Sequence, residues 1–304
     1  MTKTMRDAFL ESLFEKMKEN EKIIIISADF GAPVLDKIRQ ECPSQVINVG
    51  IAEQNAVNVG VGLALEGFVV YIYAIAPFIS MRAFEQIRVN MAILSEFRNM
   101  NVNIIAVAVG MSYSTSGATH HCLEDLSIIK TLPNIEIFSP SDYALAKCYA
   151  EKSVQKKGAK YIRFEGSAGE ALQGEITEFQ KGFRVLQKGG ELCLIATSYM
   201  SANLVKLAAK YPSVKFVDLY LINTYDRAAL KKELENVSTI ITAEEGFKGA
   251  GGLDAEINFN FKDKKIINIG LEKRYCLDVG KREFLHKRCG IDIASVERAI
   301  KGCL

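Results

Sequence analysis

Residues Ile23 to Ile26 are four consecutive isoleucines, followed by Ser27-Ala28-Asp29. A β-branched run without polar alternation suits a strand covered on both faces, as in a parallel sheet. Parallel strands need crossover helices, and the flanking sequence has them. Apolar residues at helical spacing (Phe9, Leu10, Leu13, Phe14, Met17) predict a helix over 6–18. The same rhythm then predicts helix 34–41, strand 46–49, helix 53–65, strand 68–73, helix 81–94 and strand 104–109. Alternation of this kind calls for a doubly wound α/β domain.

The pattern continues with strand 135–138, a helix over 143–153 that Ser141 or Asp142 can cap, and a short strand over 161–164. Between Gly166 and Gly182 the chain turns polar and glycine-bearing, with Gly169 and Gly174 inside the stretch. This is the expected linker, and it predicts domains over 1–172 and 173–304. A second βα rhythm follows, with strands at 192–196, 215–218, 239–243 and 266–269 and helices at 201–210 and 227–235. It predicts a smaller α/β domain. Gly249-Ala250-Gly251-Gly252-Leu253 opens a helix but lacks the Lys-Ser/Thr ending of a phosphate loop, so close packing of helix on strand is the favoured reading.

Composition narrows the function classes. A chain of 304 residues, 49% hydrophobic, can bury a large core divided between two domains. A net charge of +2 with 24% charged residues argues against nucleic acid as a partner. The seven cysteines include no CxxC spacing and read as reduced, mostly buried thiols. The N-terminal residues follow a helical pattern rather than that of a secretory signal. The longest apolar run, from Phe68 to Met81, is broken by Pro77 and falls short of the roughly 20 residues that span a bilayer. A soluble, cytoplasmic protein without a membrane partner is expected.

Several residues could carry chemistry. Glu53 is a lone carboxylate opening a helix rich in Gly and Ala, so its surroundings are expected to be poor in water and it could exchange a proton with a ligand nitrogen. A carboxylate in a first helical turn is also favoured by the helix dipole alone. Asp29, Glu53, Phe78 and the loop after Val109 fall beyond the carboxyl ends of predicted strands, where ligands of such sheets collect. Phe78 would by default be a core aromatic. His120 and His121 end a polar loop from Gly110, and adjacent imidazoles without further ligands rarely converge on one metal ion. Arg163, the single charge in its strand, could be an ion-pair partner.

Gly50-Ile51-Ala52-Glu53-Gln54-Asn55 with Gly62-Leu63-Ala64, and Arg82-Ala83-Phe84-Glu85-Gln86-Ile87-Arg88, resemble the pyrimidine-binding region of transketolase and 1-deoxyxylulose-5-phosphate synthase. Gly117-Ala118-Thr119-His120-His121, Leu123-Glu124-Asp125, Leu132-Pro133-Asn134 and Ser139-Pro140-Ser141-Asp142 extend the resemblance over nearly the whole chain. It implies a thiamine-diphosphate pyrimidine-binding domain followed by a transketolase C-terminal domain, in an enzyme that transfers a two-carbon ketol unit between sugar phosphates or related carbohydrates. It also assigns roles. Glu53 would bond N1′ of the aminopyrimidine and promote the tautomer that deprotonates thiazolium C2. Phe78 would stack on that ring, with Ile51 and Asp29 in the cofactor-binding loops. His120 would contact substrate oxygens as a catalytic proton carrier, and Arg163 would hold a substrate phosphate.

The departures from the family are as specific as the matches. Ser116 stands where an acidic residue usually reads donor hydroxyls, Pro33 where a serine helps bind phosphate, and Glu244-Glu245-Gly246 where Glu-Glu-His is commoner. No Gly-Asp-Gly occurs, although the family uses that motif for the diphosphate and its Mg²⁺. The resemblance therefore implies the C-terminal half of a split enzyme. A partner subunit would supply the diphosphate and metal site, this chain would supply no metal ligands, and the assembly would be α2β2. The alternatives are the E1 β subunit of a 2-oxo acid dehydrogenase, a decarboxylating synthase of the deoxyxylulose phosphate type, and a non-catalytic scaffold.

Overall fold

The structure, a computed structural model, describes residues 2–172, 176 and 178–304. The described residues form two compact units. The first takes the chain as far as Val109, with Ile128–Phe138 and Asp142–Ala171; the second takes Gly110–Ser127, Ser139–Ser141 and Leu172–Leu304. Gly174, on which the linker reading partly rested, and the boundary at 173 lie outside the described residues.

In the first unit, the strands in chain order are β1 (Lys3–Thr4), β2 (Ile23–Ser27), β3 (Val46–Asn48), β4 (Val69–Ile75), β5 (Asn101–Val107), β6 (Ile135–Phe138), β7 (Gly158–Phe164) and β8 (Ala168–Gly169). Six of them make one sheet in the order β3-β2-β4-β5-β7-β6, every neighbouring pair parallel. The isoleucine run of β2 is buried along its whole length, as a strand covered on both faces requires. β1 and β8 pair antiparallel in a separate two-stranded ribbon. Helix Met5–Glu19 is capped by the Thr4 hydroxyl, which accepts the Asp7 N–H, and helix Tyr143–Gln155 by the carboxylate of Asp142, which accepts the Leu145 N–H.

The expected helix over 81–94 is interrupted. A π-helical turn spans Phe78–Arg82, a short α turn spans Phe84–Gln86, and a second π segment spans Ile87–Ile93. Such turns insert an extra residue, shift the side-chain phase, and occur frequently at functional sites.

The second unit holds β9 (Phe183–Gln187), β10 (Leu192–Ala196), β11 (Val214–Leu219), β12 (Thr239–Phe247) and β13 (Lys265–Leu271) in the order β13-β12-β10-β11-β9. All neighbours are parallel except β9, which pairs antiparallel with β11 at the edge. Sequence reading missed β9, because Arg184 falls inside it; there Arg184 is buried and its Nε lies 3.0 Å from Asp218 Oδ2 on β11. Helices Ser198–Ala208 and Ile293–Lys301 pack their apolar faces on β10, β11 and β12. No helix among the described residues is long and apolar enough to cross a membrane.

At the amino-terminal end of the larger sheet, Lys160 of β7 is 1% exposed. Its ammonium donates to Asn101 Oδ1 at 2.7 Å, and burial lowers its pKa from 10.5 to about 7. The folded-state pKa lies below the unfolded one, so the unfolded chain binds the extra proton between pH 7 and 10.5 and stability rises with pH across that window. The penalty is fully present below pH 7, at most roughly 5 kcal/mol. Replacing Lys160 by Met leaves Asn101 Oδ1 with the Asn103 Nδ2–H donor at 2.9 Å. Urea unfolding of Lys160→Met and the parent is therefore expected to show a stability advantage for the variant at pH 7 that shrinks steadily towards pH 10.

Candidate functional site

In the first unit, β2 lies between β3 and β4, so the chain leaves β2 to one side and returns to the other. A crevice forms beyond the carboxyl ends at such a reversal. The loops there are tied together by Asn48, the last residue of β3. Its Oδ1 accepts the backbone N–H of Asp29 at 3.1 Å and of Gly50 at 3.0 Å, and its Nδ2 donates to Asp29 Oδ1 at 3.1 Å. Asp29 has φ 51, a left-handed conformation that Asp tolerates better than most residues. Ile51 stands out from the next loop at 75% exposure.

Helix Glu53–Leu65 begins at the candidate acid. Glu53 is 3% exposed, which fits the expectation of surroundings poor in water. The helix reaches the sheet closely through Gly60, where a Cβ would stand 2.9 Å from Ile72 Cδ1. The buried carboxylate accepts from Arg82 Nη1 at 2.7 Å, and this guanidinium offsets its desolvation. Arg82 closes the π turn that Phe78 opens, and its guanidinium lies over the Phe78 ring at 5.1 Å from the centroid. Glu53, Arg82 and Phe78 therefore meet at the carboxyl ends of the strands, with Phe78 half-buried. Sequence reading quoted Arg82 in a motif but gave it no role; a pairing across 29 positions has no local signal. Arg163 lies in β7 at 3% exposure.

The loop carrying the other candidates belongs to the second unit. Gly110 and Cys122 exchange backbone hydrogen bonds of 2.9 Å in each direction, closing the loop at its base. Met111 and Leu123 enter an apolar cluster with Leu271, Cys276, Leu285 and Ile291. His120 is half-buried, with Thr119 Oγ1 3.1 Å from its Nδ1 and the Tyr113 ring edge-on at 6.0 Å; Ser116 is exposed. His121 is buried. Burial lowers its pKa, opposed by the charge of Glu245.

Neither acid of the Glu244-Glu245-Gly246 segment was given a role by the sequence, and both are engaged in this unit. Glu244 accepts the N–H groups of Leu253 and Asp254 at 2.9 and 2.8 Å. Gly252 admits it, since a Cβ there would lie 2.3 Å from Glu244 Oε2. The helix terminus behind the glycine-rich segment is thus filled by the chain's own carboxylate, in line with the packing reading rather than a phosphate loop. Glu245 accepts from Arg282 Nε at 2.7 Å and sits 2.5 Å from His286 Nε2. Burial alone would raise its pKa, but these partners outweigh burial and hold the carboxyl well below the usual range.

The family model for the transketolase pyrimidine-binding domain matches residues 1–168. The chain belongs to the transketolase family. It is 30% identical over 308 residues to a putative transketolase C-terminal section of Methanocaldococcus jannaschii, covering 98% of this chain and 95% of the relative. It is also 30% identical to one of the subunits of the apulose-4-phosphate transketolase of Actinobacillus succinogenes, covering 96% of each chain. A solved split-gene transketolase, an inactive β4 tetramer, superposes with a TM-score of 0.84 at 27% identity, covering 98% of this chain and 97% of that one. The chain's two α/β units, formed by its described residues, are those of a transketolase-family member.

The Glu53–Arg82 pair generates a stability prediction. Arg82→Met leaves a buried carboxylate without its cation and is expected to cost about 1–3 kcal/mol in urea unfolding, the arginine being half exposed. Adding Glu53→Gln to that variant removes the charge and is expected to restore part of the loss.

Proposed function

We propose that this chain is the C-terminal, β-like subunit of a two-subunit, thiamine-diphosphate-dependent transketolase. The observation that carries the reading is a carboxylate 3% exposed at the strand ends, beside a half-buried aromatic and a half-exposed arginine. These residues fit the aminopyrimidine of the cofactor. A carboxyl shielded from water can share a proton with a ring nitrogen, Phe78 offers a face for stacking, and the loops of Asp29 and Ile51 border them. When bound, thiamine diphosphate supplies the nucleophilic carbon and the electron sink that ketol transfer needs.

The chain's own part is then to bind, orient and move protons. Glu53 holds a proton at the ring nitrogen, and Arg82 balances its charge before the ring arrives. His120 donates to or accepts from substrate oxygens. Ser116 replaces an acidic reader of donor hydroxyls, so the donor is expected to differ from the common pentose and hexose phosphates. Relatives named as subunits for apulose 4-phosphate and for 6-deoxy-6-sulfo-D-fructose support a carbohydrate substrate outside that set.

A partner carrying Gly-Asp-Gly would bring the diphosphate site and Mg²⁺, in an α2β2 assembly. The description of the β4 split-gene tetramer as inactive supports a requirement for the partner. Similarity to 1-deoxy-D-xylulose-5-phosphate synthase, 26% identical with 48% of that enzyme covered, makes a decarboxylating synthase reaction the one to compare.

Three outcomes check the reading in enzyme reconstituted with such a partner. The chain alone should show no ketol transfer, and the pair should show it with Mg²⁺ and cofactor. Glu53→Gln should keep assembly and lower turnover by about 100-fold or more. Phe78→Ala should weaken cofactor binding by roughly 3- to 10-fold, measured by fluorescence titration. Turnover by the pure chain without a partner would refute the split reading.

A further inference from the structure

We infer that Glu245, in the C-terminal domain, is a positioning residue for the loop that presents His120 to substrate. The inference rests on the transketolase reading of His120. The side chain of Glu245 is 7% exposed; Arg282 donates to both of its oxygens, from Nε to Oε1 and from Nη2 to Oε2, and His286 Nε2 lies against Oε1. Arg282 is itself stacked over the Tyr199 ring, 3.5 Å from the centroid, and the His286 ring meets the same tyrosine edge-on at 5.5 Å. The acid therefore has little freedom to turn, and it remains a charged acceptor throughout the neutral range.

Its remaining capacity faces the loop. Glu245 Oε2 accepts the backbone N–H of Met111 at 3.3 Å. Gly110 precedes it with φ +64, and a Cβ at Gly110 would lie 2.0 Å from the same oxygen. Only glycine fits there while Glu245 stands where it does. Because Gly110 and Cys122 bond each other reciprocally, the carboxylate that fixes one end of the loop fixes the other.

His121, next to Cys122, is 4% exposed, and neither of its ring nitrogens has a hydrogen-bond partner among the described residues. Burial keeps it neutral, and Glu245 is the negative charge that acts on it. An imidazole buried without partners restrains the chain by packing alone, whereas Glu245 restrains the base of the loop directionally, and the Gly280 N–H donates to Ser114 O at 3.3 Å farther along it. A displacement of about 1 Å at a catalytic group can cost up to roughly 100-fold in rate, which is the scale on which such an anchor matters.

The test uses the enzyme reconstituted with its partner. Glu245→Gln is expected to lower kcat/KM for the ketose donor about 10-fold or more, while cofactor affinity and deuterium exchange at C2 of the bound cofactor, measured without substrate, stay near parental values. A merely structural loss would lower all three together. Leaving Arg282 short of its partner could prevent assembly, so a second pair keeps the ion cluster. Gly110→Ala is expected to lower kcat/KM, and Gly110→Ala with Glu245→Asp, whose shorter acid retreats from the new methyl, to recover part of it.

Parental kcat/KM in Glu245→Gln overturns the inference. If that variant does not assemble, equal kcat/KM in Gly110→Ala and its Glu245→Asp derivative overturns it. His120→Ala separates the two levels. Parental activity there removes the underlying reading and the inference with it, whereas an impaired His120→Ala beside a parental Glu245→Gln removes only the anchor.

Discussion

A carboxylate kept almost wholly from water at the start of a helix is the constraint around which the first unit is arranged. A guanidinium meets Glu53 there, Arg82 reaching it at 2.7 Å from the end of a π-helical turn. Without the extra residue of that turn, positions 78 and 82 would lie at ordinary α-helical phase. The irregular segment thus aims two side chains, Phe78 and Arg82, at one place. Gly60 contributes from the other side by letting the helix of Glu53 settle against Ile72 without a Cβ in the way.

The second unit uses carboxylates in the same manner for a different end. Glu244 closes a helix terminus by accepting two backbone N–H groups, Asp218 holds Arg184 of the antiparallel edge strand, and Glu245 joins Arg282 and His286 to the base of the His120 loop. Buried charges of this kind contribute little net stability compared with apolar residues of equal size. They do restrict where their partners can sit, because each acceptor left unmade would be costly. In this unit the partners are loop ends and strand ends, the segments that packing alone fixes least.

The fold was legible where burial is two-sided. β2 and β10 are runs of almost wholly apolar residues whose every position is covered, so pattern and structure coincide at Ile23 and Leu192. β9 was illegible because an edge strand with a buried Arg184 has no apolar alternation to detect. The helix read over 81–94 has the right apolar content but a different winding, since hydrophobic spacing does not distinguish an α turn from a π turn with one residue more.

The sequence alone determined that a parallel α/β architecture forms, because consecutive β-branched residues have nowhere stable to go except between two layers of helices. Through a few short motifs it also pointed to Glu53, Phe78 and His120, since those residue types at those strand-end positions carry the resemblance. Only the tertiary structure decided which groups surround them. Arg82 meets Glu53 across 29 positions, and Glu245 meets Met111 across 134. Contacts of that reach depend on how strands are ordered and where the chain turns back, and no local pattern of side chains encodes them.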